Sequence, residues 1–476
     1  MAGNSTSVVI GLGTALATSF LVAIWARYSF QRPLLAFGWI VFLTTTVYER
    51  LRSGYLLGAG GQGHGSISLI DLVWLVFVIV AIARLVRKRT LIVPSPRMPL
   101  AAWIGLPYVT MSITLPVIGA LYGSILLDWP ISFVATGVRQ LQWLSFAFIA
   151  YWLAKTNGPA TTLAITMKAL VAAGVVHALY GVVQLGARSG FLPSAWRALD
   201  DFYVAGGASW LSDSSRLTGL YVMPTAYGNL GALLVIAGSA LALSRVPCLS
   251  SAWATAALVA GGFIVIMSGD RVALVALIAA LVASASASIA VGYGIIRVIL
   301  LGPFVFLVAI ALVPTYPSFI RSRFEHLLEH LLTGPSAVQN VAERFERWRY
   351  YIEVVQPMYP AGTWIQPRFV GGETPDSYII TLLAQGTVVY VLAFLFFIFG
   401  VHALGIMVLD RTGAPKDRWL GVLVIGYVVF VSIASLGGSI MFDVTVVVAL
   451  WIVLGVALVT LRRRSRPVTP EDCEQR

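Results

Sequence analysis

Charged residues make up only 11% of this 476-residue chain, where soluble domains carry about 25%. A fold so poor in charge cannot wet its own surface. With 58% hydrophobic residues and a mean hydropathy of +0.87, the bilayer must be the solvent for most of it. No long hydrophilic stretch interrupts the sequence, which excludes a separate soluble domain, so residues 1–476 read as one integral membrane domain. Two cysteines, Cys248 and Cys473, are too few for a disulfide framework. No basic residue precedes the first apolar run, Ser7 to Trp25, which argues against a cleaved signal peptide. A P-loop is missing, as is any Asp-x-Asp pair in the loops. The formal charge of +12 does not call for nucleic acid. In a membrane chain it sets orientation and attracts anionic lipid or phosphate.

What is present is a succession of apolar runs long enough to span a bilayer. They fall at 7–26, 34–48, 68–86, 100–125, 131–153, 160–184, 223–244, 251–268, 271–289, 292–314, 377–408, 419–438 and 442–461. The run 34–48 is short enough to be interfacial. The expected fold is all-α, a polytopic transmembrane helix bundle of roughly twelve or thirteen spans. Arg462, Arg463 and Arg464 place the C-terminal tail, 462–476, in the cytoplasm. Counting back puts the Arg411–Arg418 loop, Arg245 and Arg84–Arg89 on that side, along with Lys88, Lys155, Lys168 and Lys416. Both cysteines then face the reducing compartment as free thiols.

Two long loops face the other way, a first at 185–222 and a larger one at 315–376. Loops of this length are uncommon unless functional or disordered. Trp196, Trp210, Trp348 and Trp364 argue for order, with short helices in the larger loop. The site is expected at this outer face. Arg216, just before a span, is either a snorkelling anchor or an anion clamp. Arg271 follows the Ser268-Gly269-Asp270 turn and opens a helix whose first amides favour anions; the plainer reading makes Asp270 an N-cap and Arg271 an anchor. Asp376 follows Pro375 and is either the N-cap of the next span or a carboxylate base at the lip of the bilayer. Arg139 lies about two turns inside a span, where a charge marks function or snorkels outward. His326, Glu329 and His330 spell a zinc-protease motif, but the stripe of Ile320, Phe324, Leu327, Leu328 and Leu331 around them reads as a helix lying on the membrane.

The order of these features resembles the O-antigen ligase and polymerase superfamily of bacterial envelope glycan assembly. Ser215-Arg216-Leu217-Thr218-Gly219 with Pro224 is similar to its Arg-x-x-Gly…Pro-Asn segment. Ser268-Gly269-Asp270-Arg271 is similar to its Ser-x-Ser-Arg turn. Arg344, Trp348, Pro360, Gly362 and Asp376-Ser377-Tyr378 with Leu383 and Gly386 resemble the loop ending in His-Asn-x-Tyr-Leu. The resemblance covers about residues 130–440. It departs at Thr225, where Asn is usual, and at Asp376, where the family carries a functional His. It implies a metal-independent glycosyltransferase without a cofactor, multi-pass in the bacterial inner membrane with its active face periplasmic. The donor would be a glycan on undecaprenyl diphosphate and the acceptor a glycan or lipid-linked glycan. Asp376, Arg216 and Arg271 would be catalytic, with Arg139, Arg344, Trp348 and Tyr378 binding substrate. The competing class is a polysaccharide or lipid transporter or flippase, disfavoured by the lack of a two-fold internal repeat, the scarcity of mid-span charges and the clustering of arginines at one face.

Overall fold

Away from water only a helix satisfies every backbone group within its own segment, so long apolar runs become helices. The computed structural model describes residues 21–47, 69–87, 100–126, 134–197, 216–221, 223–243, 249–292, 339–364, 375–411, 418–438 and 440–462. No strand occurs among them. In chain order the helices are α1 (Pro33–Thr46), α2 (Leu69–Arg87), α3 (Leu100–Leu126), α4 (Val134–Asn157), α5 (Pro159–Arg188) and α6 (Pro224–Leu243). There follow α7 (Ser251–Ser268), α8 (Arg271–Ala290), α9 (Gln339–Tyr350), α10 (Tyr378–Arg411), α11 (Trp419–Gly437) and α12 (Val444–Arg462). Among the described residues, 7 helices are long and apolar enough to cross a membrane: α5, α6, α7, α8, α10, α11 and α12. Short apolar stretches lie in α1 and in Trp103–Gly119 of α3. The expected span 292–314, most of the run 7–26, the His326/His330 motif, both cysteines and the tail lie outside the described residues.

Helices α6 and α12 are the most enclosed. Bilayer helices cannot gain from apolar burial alone, so small residues bring backbones close. A Cβ on Gly231 of α6 would meet the Gly261 carbonyl of α7, and one on Gly455 of α12 would meet the Ala147 carbonyl of α4. Arg418 donates to the Val291 carbonyl at 3.3 Å, joining the start of α11 to the end of α8. At the opposite end Leu217 N–H donates to the Met267 carbonyl at 3.0 Å, and Tyr378 N–H to that of Gly438 at 3.1 Å.

Two expected boundaries change. Helix α5 runs on past residue 184 to Arg188. More importantly, α10 is not one straight span from 377 to 408. It breaks at Gly386 (φ −145°, ψ 22°) and Thr387 (φ 64°, ψ −168°). The Tyr378 and Phe394 rings lie 5.2 Å apart, whereas a straight helix would separate these residues by about 24 Å. The first arm, 378–385, is therefore turned back against the second, 388–411, which alone is long enough to span. The break frees carbonyls that the bilayer cannot satisfy. Thr363 N–H donates to the Ala384 carbonyl at 2.8 Å and Trp364 N–H to that of Gln385 at 2.9 Å. Gly362, at φ 91°, permits this approach, since a Cβ there would run into the Gln385 carbonyl.

Gly362→Ala is expected to cost at least about 2 kcal/mol through left-handed strain and backbone collision. Gly262→Ala, where a Cβ meets nothing within 4 Å, should be neutral or stabilising. Thermal midpoints of the two variants in nanodiscs check this contrast.

Candidate functional site

The segment 216–221 leaves the helix at the end of the bundle where its polar groups need protein partners. Two side chains of α5 supply them. Gln184 Oε1 accepts from the Thr218 and Gly219 amides at 3.2 and 2.9 Å. Its Nε2 donates to Thr218 Oγ1 at 3.0 Å. His177 Nδ1 accepts the Leu220 amide at 3.1 Å, and Nε2 donates to the Thr45 carbonyl at 2.9 Å. That pattern fixes the neutral tautomer protonated on Nε2. Tyr221 stacks on the imidazole at 4.2 Å and donates to Thr45 O at 2.6 Å. Arg188 donates to the carbonyl of Arg216. Arg216 thus projects from a turn held at every residue.

The Ser-Gly-Asp turn between α7 and α8 lies against it. Gly269 takes the left-handed cap position at φ 60°. Asp270 is the N-cap of α8, as the plainer reading had it, accepting from Val272 N–H at 2.9 Å and Ala273 N–H at 3.4 Å. It is also the centre of a charge cluster. Burial pushes its carboxyl above the usual carboxylate range, while those two amides and the charges of Arg216 and Arg344 pull it back down. The same two guanidinium groups act on Arg271. Arg216 and Arg344, distant in sequence, are thus brought within electrostatic reach of both Asp270 and Arg271. The Nε atoms of Arg216 and Arg344 are buried and have no hydrogen-bond partner.

Helix α9 lies across this end and presents one face at i, i+3 and i+4. Arg344 Nη1 reaches the Gly437 carbonyl at 3.5 Å. Arg347 Nη1 donates to Asp376 Oδ2 at 2.7 Å, and Trp348 Nε1 to the Pro375 carbonyl at 2.6 Å. Asp376 is not the N-cap of α10. It sits at φ 50°, a conformation that aspartate tolerates better than most residues, and its carboxylate pairs with Arg347. Ser377 opens the helix, its carbonyl accepting Thr381 N–H at 3.0 Å. Asp376 shares the arginine end of the bundle: Gly437 meets both Arg344 and Val272, and Gly438 accepts Tyr378 N–H.

Two expected binding residues are buried within the bundle. Arg139 is buried at 8% exposure on α4, one turn from Gln142, which donates to Asp71 of α2 at 3.0 Å. Tyr378 turns its ring inward, at 2% exposure, and its hydroxyl shares a 2.7 Å hydrogen bond with that of Tyr108. Sequence reasoning missed Gln184, His177 and Arg347. The first two carried a signal, polar side chains inside a span. It also missed Asp443, which caps α12 through Thr445 N–H at 2.9 Å and accepts from Asn229 at 2.9 Å. Helices α6, α8, α10 and α12 all begin at this end, adding the positive ends of four dipoles.

Fold and site together define a multi-pass helical membrane protein with a cationic site at one end. Compared with known proteins, the chain matches no family model and no curated protein.

Replacing Gln184 by methionine keeps its length and removes every hydrogen bond. Two buried amides lose their acceptor, at about 1–3 kcal/mol for each group. A clear fall in thermal midpoint is expected, with reduced surface expression; an unchanged midpoint would show that 216–221 is anchored elsewhere.

Proposed function

We propose that this protein is a membrane glycosyltransferase that transfers or polymerises glycan carried on undecaprenyl diphosphate, acting at the periplasmic face of the bacterial inner membrane. The observation that carries this reading is the gathering of Arg216 and Arg344 beside Asp270 and Arg271 at one turn of the bundle. The arginines gather in a place where two guanidinium Nε atoms are buried and have no hydrogen-bond partner among the described residues. Buried donors without partners are costly and call for a ligand. A lipid diphosphate supplies multiple anionic oxygens, and guanidinium forks match them. The order of the motifs, similar to the O-antigen ligase and polymerase superfamily, supports the same reading.

In the reaction an acceptor hydroxyl attacks the anomeric carbon of the donor. The bond from that carbon to the diphosphate oxygen breaks, and the diphosphate leaves with the bonding pair. Arg216, Arg271 and Arg344 stabilise the charge that grows on the leaving group. Asp376, released from Arg347, takes the hydroxyl proton. Trp348, lodged against Pro375, keeps α9 across the site.

One observation favours a second reading. A broken helix whose first arm begins at a cationic end of the bundle is a device of transporters, and it weighs toward a flippase. Proteoliposomes loaded with lipid-linked glycan separate the two: a transferase gives a longer or transferred glycan, a flippase only relocates the donor.

Arg216→Ala, Arg271→Ala and Arg344→Ala should each lower glycan transfer at least about a hundredfold, with the protein still inserted at normal levels. Surface glycan on gels, beside immunoblots of the membrane fraction, reads both. Normal glycan in all three variants would overturn the proposal. In a deletion strain, short lipid-linked repeats identify a polymerase and accumulated long lipid-linked chains a ligase. For Asp376→Asn, full activity would assign the carboxylate a structural role beside Arg347.

A further inference from the structure

We propose that Trp364 and Tyr122 form a pyranose-binding subsite for the glycan whose diphosphate sits among the arginines. This rests on the glycosyltransferase reading and extends it from the lipid carrier to the sugar. The two rings lie 5.5 Å apart at 58°, forming an open corner. Tyr122 is 49% exposed, and it lies beyond the apolar stretch of α3, which ends at Gly119. The corner therefore lies near the end of α3, about one turn from its last residue, Leu126.

An aromatic at a membrane interface has a simpler explanation: it anchors the protein with its N–H or O–H turned toward headgroups. Trp364 does not fit that pattern. Its Nε1 donates to the Ala361 carbonyl at 2.8 Å, inside its own loop, so the indole has no polar group left for headgroups. What it still offers is aromatic surface. The residue is also held at φ 59°, a conformation costly for a bulky side chain and kept only where the surroundings enforce it. The enforcing contacts are the Trp364 N–H bond to Gln385 and the Gly362 approach to the same carbonyl. The flat C–H face of a pyranose packs on such a ring while its hydroxyls remain in water.

Position ties the corner to the reaction. The first arm of α10 starts next to Asp376 and ends at Gln385, where Trp364 is bonded. At ~1.5 Å per residue the arm spans about 12 Å. A glycan with its reacting end at Asp376 can lie along this arm and place a later sugar on the Trp364–Tyr122 corner. A polyprenyl tail has no reason to leave the bilayer for it.

The test measures binding to wild-type protein in nanodiscs. The probes are undecaprenyl diphosphate alone and undecaprenyl diphosphate bearing the host strain's own repeat unit. Trp364→Ala and Tyr122→Ala should weaken the glycosylated probe about tenfold and leave the bare one unchanged, and Trp364→Phe should retain most of the affinity. Equal losses for both probes would assign the corner to the lipid tail or to structure and overturn the subsite, as would no loss for either. Tyr122→Ala, on an exposed helical face, decides the matter if Trp364→Ala fails to fold. Wild-type protein that binds neither probe would sink the diphosphate reading itself, a result distinct from failure of the subsite alone.

Discussion

Backbone that leaves the helix inside a bilayer must find its hydrogen bonds in the protein, and at one end of this bundle three segments do so at once. Segment 216–221 is met by Gln184 and His177. The turn after α7 is met by Ser268 and Asp270, Ser268 Oγ accepting Asp270 N–H at 3.1 Å. The break in α10 is met by Thr363 and Trp364. Each solution fixes an irregular segment that carries or adjoins a functional side chain. Arg216 leaves the first, Arg271 the second, and Asp376 stands at the head of the arm that the third ends. Remove the partners and the irregular segments have no reason to hold their shape.

Placing three guanidinium groups together is unfavourable, and the structure offsets this only in part. Asp270 and Asp443 provide opposite charge, yet each also caps a helix, α8 and α12, and so spends hydrogen-bonding capacity that the arginines do not receive. Arg347 and Asp376 neutralise each other and leave the balance unchanged. Four helix N-termini add potential of the same sign. Such a site favours an anion, and the Nε atoms of Arg216 and Arg344, buried without a partner among the described residues, are donors it could use.

Much of this was legible from residue order. The runs 251–268 and 271–289 match α7 and α8 almost residue for residue, because a glycine stop and an aspartate start separate them. Arg216 and Arg271 stood out because each arrives at the outer end of a span. The break in α10 was not legible: residues 377–408 form an unbroken apolar run, and a glycine followed by threonine gives no warning of reversal. The pairing of Asp376 with Arg347 joins two points of one loop 29 residues apart, a distance that no local pattern covers. Proline before Asp376 suggested a cap, but the helix starts one residue later because Ser377 offers its carbonyl to Thr381 and Tyr378 gives its amide to Gly438.

The reversed arm of α10 bears on transfer against transport. A transporter site must open in turn to both sides of the membrane, which requires a polar path below it. Beneath the arginines the described core is apolar and closed. Leu230, Leu233 and Leu234 of α6 and Val446, Val447 and Leu450 of α12 are all at 1% exposure or less. A charged diphosphate moving through that layer would shed its hydration with no donor to replace it, at a cost of many kcal/mol. Under the proposed transfer, a diphosphate held at the end of the bundle would keep its lipid in the outer leaflet and its sugar in water. The arm then serves as a ledge: its head holds Asp376 next to the clamp, and its far end, secured by Gly362 and Trp364, sets where the rest of the glycan lies.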